Sequence, residues 1–381
     1  MIVERPALER RVLDCLDAGR IPVVLGGCAI GRTSLLLRIQ QTLGPDRAQY
    51  LDFGAAATTP ERCLAAVVSG SRVRPVGGMP AVLPSTPRAA FDALMAFVDR
   101  GAGPGGQPAT FLIDEILDIR TFENFPGLRQ VLRDVISRLS GSPAGFVLAS
   151  RFTARAHRLL RDAPSRFEVV HVPPLTATEV QALALRFDGA RPHGAAAAHA
   201  ALITALTGGR AGYAHLLLEG FATMGPATDP VAAFAALFAP EGRLTARCRE
   251  SYEFRLHRAR GYGALKAILG ILAQDEPQNL TEIAHHLQRT PGSTKDYLSW
   301  LEDVDVITMQ GKRYSYDDPL VRLYVRLYAR PVPPTDADVV REARAYAQAR
   351  APQLAPVNVG ALAAANRLTE TERASGIIEI D

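Results

Sequence analysis

Two kinds of apolar run alternate along the first half of the chain. Continuous runs at 21–25 (IPVVL), 48–53 (AQYLDF), 109–113 (ATFLI), 145–150 (GFVLAS) and 167–172 (FEVVHV) read as strands buried on both faces. Between them apolar residues recur at helical spacing over 6–18, 32–43, 60–69, 87–100 and 126–140. This alternation predicts an α/β fold, a parallel sheet covered by helices on both sides. The Gly- and Pro-rich stretches 70–88 and 101–108 read as loops.

From Thr176 the strand signal stops. Thr176-Ala-Thr-Glu179 ahead of an apolar run is a capping-box pattern, and helices are predicted at 177–187, 195–206, 211–224 and 229–238. A basic helix follows, carrying Arg243, Arg247, Arg249, Arg255, Arg258 and Arg260. Three apolar stripes come next: Leu265, Ile268, Leu269 and Leu272; Leu280, Ile283, Ala284 and Leu287; Tyr297, Leu298, Leu301 and Val304. Val306–Met309 and Arg313–Tyr316 flank Gln-Gly-Lys as a hairpin. Three helices and a hairpin predict a C-terminal winged helix-turn-helix. Residues 336–349 read as one more helix, and the Ala-rich tail beyond Pro352 as partly disordered. The expected units are 1–174, a core; 175–242, a helical lid; 243–331, the winged elements; and 332–381, a helix and tail.

The chemistry begins where the first strand ends. Gly26-x-x-x-x-Gly31-Arg32-Thr33-Ser34 has the spacing of a phosphate-binding loop, with arginine where lysine is expected. Such a loop aims backbone N–H groups and a helix N-terminus at an anion. The candidate nucleotide-binding residues are therefore Gly26, Gly27, Cys28, Ala29, Ile30, Gly31, Arg32, Thr33 and Ser34. Arginine keeps the positive charge but is wider and planar, which favours binding over turnover. The strand Thr110-Phe-Leu-Ile ends in Asp114-Glu115, a Walker B pattern. Asp114 with Thr33 is the expected magnesium shell, and Glu115 the expected general base. Ser150 and Arg151, at the end of the next strand, are placed near the γ-phosphate. The plain alternatives are a buried strand with a helix cap, and a surface arginine in an ion pair.

Composition narrows this only slightly. The 381 residues are 48% hydrophobic and 22% charged, ordinary for a globular protein of two or three domains. No apolar run reaches the roughly 18 residues that cross a bilayer. The start, Met-Ile-Val-Glu-Arg-Pro, lacks a signal-peptide core, so a cytoplasmic protein without membrane contact is expected. The four cysteines and eight histidines show no disulfide or zinc spacing. Between Arg260 and Arg330, nine basic residues meet nine acidic ones, so the winged elements carry no net charge for a phosphate backbone.

As an ordered set these motifs resemble the AAA+-like branch of P-loop ATPases. Within it the chain is similar to the archaeal-type ATPases of the STAND group, and more distantly to origin-recognition ATPases, over residues 1 to 330. Beside the loop and Asp114-Glu115, the landmarks are Ile2-Val-Glu-Arg-Pro-Ala-Leu-Glu9, similar to an Arg-x-x-Glu segment near the adenine, and Ser150-Arg151, similar to sensor 1. Pro174-Leu175-Thr176 resembles the entry to the lid, Thr207-Gly-Gly-Arg210 the sensor-2 turn, and Tyr314-Ser-Tyr-Asp-Asp-Pro the start of the helix closing the winged domain. The resemblance implies a core strand order of 5-1-4-3-2, ATP and Mg2+ as ligands, Arg210 at the nucleotide, and an arginine finger among Arg158, Arg161 and Arg166. Two departures accompany it: Arg32 replaces the loop lysine, and no proline follows the lid glycines.

Three functional readings follow. The first is an ATP-binding switch or slow ATPase that couples nucleotide state to the winged elements. The second is a hydrolysis-deficient, nucleotide-bound scaffold. The third is a DNA-binding regulator or mobile-element ATPase. A protein partner or self-association is the leading use of the winged elements, with DNA contact the alternative.

Overall fold

The computed structural model describes residues 4–78, 84–188, 199–224, 229–257 and 261–350. The strands β1 (Ile21–Leu25), β2 (Ala48–Asp52), β3 (Arg74–Pro75), β4 (Gly101–Ala102), β5 (Thr110–Asp114), β6 (Gly145–Ser150) and β7 (Phe167–His171) come first along the chain. Five of them make one parallel sheet in the order β2-β5-β6-β1-β7, while β3 and β4 form a separate antiparallel ribbon. The expected string 5-1-4-3-2 counted five strands only. The ribbon lies in segments read as loops, which have no apolar run to announce it, and counting it changes the chain-order string to 2-5-6-1-7.

Strand alternation sends side chains to two cores. Val24, Leu112 and Val147 face α1 (Pro6–Asp17) and α2 (Arg32–Leu43), joining Val12, Leu36 and Ile39. Val23, Leu25, Ile113 and Leu148 face the other way, into a core shared with Phe91, Phe97, Phe111 and Phe146. On that side lie α3 (Phe53–Ala56), α4 (Pro60–Ser69), α5 (Pro87–Arg100), α6 (Val131–Gly141) and α7 (Thr153–Leu160). The helix expected at 126–140 begins only at Val131. Ile116–Asn124 winds as a 3-10 turn, and Pro126-Gly127, with Gly127 at φ 80°, breaks the chain before α6.

Beyond the sheet come α8 (Ala177–Asp188), α9 (Ala200–Thr207), α10 (Ala211–Met224), α11 (Pro230–Leu237) and α12 (Arg243–Leu256). The expected helix at 195–206 lies partly outside the described residues, as do Arg258, Arg260, Met1–Val3 and the tail. The capping box forms, with Thr176 N–H donating to Glu179 Oε2 at 2.8 Å and Glu179 N–H to Thr176 Oγ1 at 3.2 Å.

The C-terminal elements are α13 (Tyr262–Gln274), β8 (Gln278–Asn279), α14 (Leu280–Leu287), α15 (Pro291–Asp303), β9 (Ile307–Gln310), β10 (Arg313–Tyr316), α16 (Pro319–Tyr328) and α17 (Asp336–Arg350). The strands form an antiparallel sheet β8-β10-β9. The β9–β10 turn places Gly311 and Lys312 at φ 54° and 66°, the twist-matched hairpin geometry. Trp300 packs against the core.

Candidate functional site

The loop after β1 is held through its carbonyls. Arg32 Nη1 donates to the carbonyls of Gly26 and, at 2.5 Å, Gly27. Arg210 Nη1 donates to Cys28 O at 2.8 Å, and Gly212 N–H to Ala29 O at 2.7 Å. The C=O and N–H of one peptide unit point in opposite directions. With those carbonyls taken, the amides of Cys28, Ala29 and Ile30 turn away from the donors, and all three residues line a cavity of about 400 Å³. Loop geometry demands small residues where packing is tight. A Cβ on Gly27 would stand 2.7 Å from Arg210 Nη1, and Gly31 caps α2 at φ 105°.

Parallel register brings the acidic pair to this loop. Asp114 ends β5 opposite Asp52 of β2, while Leu25 of β1 stands opposite Ser150 of β6. Thr33 Oγ1 donates to Asp114 Oδ2 at 2.6 Å, and Tyr50 Oη donates to the same oxygen at 3.1 Å. Burial, reinforced by the neighbouring Glu115 charge, raises the Asp114 carboxyl above its usual range. A hydroxyl beside a buried, underneutralised carboxylate suits a hard cation.

Glu115 has a different environment. It sits in the left-handed region at φ 54°, which turns its side chain back toward the loop. Its Oε1 accepts from Arg32 Nη2 at 2.6 Å; its Oε2 accepts from the Arg151 amide at 3.1 Å and lies 2.9 Å from Arg151 Nε. Burial pushes this carboxyl up, but Arg32 and Arg151 outweigh it and hold the group below its ordinary value. Arg151 also reaches Asp118 at 3.3 Å and lies over the Phe254 ring, 4.2 Å from its centroid.

The expected site residues therefore divide. Cys28 to Ser34, Asp114, Glu115 and Arg151 share the cavity wall. Ser150 does not: it is fully buried, its Oγ accepting from Phe152 N–H at 3.0 Å, because the last residue of β6 points into the core. Gly26 and Gly27 lie behind the wall, covered by Arg32 and Arg210. Arg210 binds the loop from outside and pairs with Asp317 at 2.9 Å and Asp318 at 3.5 Å, bridging three parts of the chain. Among the finger candidates, Arg166 caps the carbonyls of Gly19, Leu139, Ser140 and Ser142, and Arg158 pairs with Asp303 at 2.5 Å.

Sequence reasoning missed Tyr50, and it missed Arg247, Glu250, Ser251 and Phe254 of α12, which form the cavity's far wall. Tyr50 carries a usable signal, since strand pairing places β2 beside the acidic pair. The α12 residues carry none, because only the tertiary fold returns that helix to the loop.

No family model and no curated protein matches the chain. Among solved structures, a Walker-type ATPase of Pyrococcus abyssi superposes with a TM-score of 0.61, at 15% identity, over 85% of this chain and 96% of that one. Cdc6p of Pyrobaculum aerophilum matches with a TM-score of 0.42, at 12% identity, over 91% and 96% of the two chains. A signal-transduction ATPase with numerous domains and a tetratricopeptide-repeat sensor, from Pyrococcus horikoshii, matches with a TM-score of 0.35, at 18% identity, over 87% and 43%. The chain has the P-loop α/β fold of the first of these.

Proposed function

We propose that this chain is an ATP-binding P-loop switch with slow hydrolysis. One observation carries the reading: a loop of P-loop spacing, its carbonyls from Gly26 to Ala29 all occupied, lines with Cys28 to Ser34 a cavity that Asp114 also lines. Gly26 to Ser34 would cradle the phosphates, with Arg32 on the β- and γ-phosphates. Thr33 and Asp114 would hold Mg2+, whose charge assists departure of the γ-phosphoryl group. Glu115 would orient water once freed from a guanidinium. While Arg32 and Arg151 occupy both its oxygens, it is a poor base, which is the support for slow turnover and favours the hydrolysis-deficient scaffold as second reading.

The units 1–174, 175–242, 243–331 and 332–381 are our proposed division, with the third a winged helix-turn-helix. Nucleotide state would reach it through Arg210, which touches the loop, and through Asp305, which accepts from the amides of Thr153 and Ala154 at the start of α7. With Asp303 and Asp305 engaged by the core, the charge-neutral winged elements fit protein contact better than DNA. Titration calorimetry with ATP, ADP and GTP, each with Mg2+ and with EDTA, tests the reading. Micromolar, magnesium-strengthened ATP binding is expected; absence of binding to all three nucleotides rejects it.

A further inference from the structure

Cys28 differs from the other three cysteines in its exposure and in what its sulfur meets. Cys15, Cys63 and Cys248 are buried, and burial raises all three thiols, Cys63 to about 12. Cys28 is partly exposed and lines the cavity. Its Sγ accepts a hydrogen bond at 3.4 Å from Nη2 of Arg255, on α12. Arg255 is 3% exposed, and its Nε has no hydrogen-bond partner among the described residues. A guanidinium so deeply buried is held in place and fixes the position of whatever its Nη2 meets. It faces this sulfur.

We infer that Cys28 is a thiol-modification site that closes the loop to nucleotide, taking a low-molecular-weight disulfide of the glutathione type. Cys28 sulfur attacks one sulfur of the disulfide. The new S–S bond joins Cys28 to half of the reagent, the old S–S bond breaks, and the departing thiolate takes the Cys28 proton and leaves as a thiol. Arg255 acts as a positioning residue, presenting positive charge where the sulfur electron pair emerges. The cavity of about 400 Å³ leaves room for one such adduct, which then occupies the space lined by Cys28 to Ser34. The regulatory consequence rests on the nucleotide reading above; the reactivity of the sulfur does not.

The test uses the full, reduced chain incubated with glutathione disulfide, with each cysteine followed by peptide mass spectrometry. Cys28 is expected to form the mixed disulfide at least 10-fold faster than Cys15, Cys63 or Cys248. Saturating ATP with Mg2+ should slow it at least 10-fold, the adduct should weaken ATP binding at least 10-fold, and dithiothreitol should restore it. Arg255→Met should slow the Cys28 reaction, whereas Arg255→Lys, which keeps the charge if the methionine variant fails to fold, should preserve most of it. Reaction at Cys28 no faster than at the buried three overturns the inference, whether or not nucleotide binds. A selective adduct that leaves ATP affinity unchanged in a nucleotide-binding protein overturns its regulatory half. If the unmodified chain binds no nucleotide, the proposed function falls while the ranking of cysteine rates still decides the reactivity.

Discussion

Asp114 and Glu115 are adjacent in sequence and equally secluded, yet they occupy opposite electrostatic settings. Asp114 meets a hydroxyl from Thr33 and a phenol from Tyr50, with its charge poorly compensated. Glu115 has a guanidinium on each oxygen and is more than compensated. The difference follows from geometry: Asp114 keeps the extended course of β5, while the left-handed φ of Glu115 swings it across to Arg32 and Arg151. One corner of the site is therefore left acidic, and the other has already neutralised itself. A lysine at position 32 would carry a single ammonium, unable to span both loop carbonyls and Glu115 with the same planar fork. Arginine there keeps a positive charge at the loop and ties down Glu115, the base of the proposed function.

The largest effect is expected from breaking the self-neutralised corner. Arg151→Met leaves Glu115 buried with one cation and removes the contact with Phe254, and should cost about 1.5–3 kcal/mol of stability by denaturant unfolding. Next comes the open corner. Asp114→Ala should weaken ATP binding about 10- to 100-fold in Mg2+ while leaving the affinity in EDTA nearly unchanged. A smaller and more discriminating effect is the sign of the pH dependence. The Asp114 carboxyl is raised in the folded chain, so its contribution to stability is greatest at low pH and declines as pH rises above about 3.9, its unfolded value. Asp114→Asn should gain on the wild type as pH increases through that window. Glu115 is lowered, so its pairs stabilise fully above about 4.3 and are lost as pH falls. Glu115→Gln should be the less stable protein at neutral pH and should approach the wild type in acid. Parallel pH trends for the two variants would dissolve the contrast.

Much of this site is legible in the sequence because local rules decide it. Continuous apolar runs mark the strands, glycine spacing marks the loop, and a carboxylate pair at a strand end marks the acidic corner. The ribbon β3–β4 is not legible, since two-residue strands in Gly- and Pro-rich segments carry no periodicity. Ser150 misleads because alternation along β6 decides its direction, and a shift of one residue exchanges core for cavity. The Glu115 clamp is hidden too. It requires a non-glycine residue at positive φ together with two arginines, one at the loop and one beyond the next strand, brought together only by the parallel crossovers. The α12 wall and the Asp317 contact to Arg210 depend on packing between distant segments, which no local pattern encodes.

In the proposed function Arg32 retains ATP while restraining Glu115. Single-turnover hydrolysis of bound ATP with Mg2+, measured side by side for the wild type and Arg32→Lys at matched occupancy, tests it most directly. Slow turnover is expected in the wild type, with a rise of about 100-fold in the lysine variant, the lower end of what a positioned base contributes. Equal or slower turnover in Arg32→Lys would contradict it.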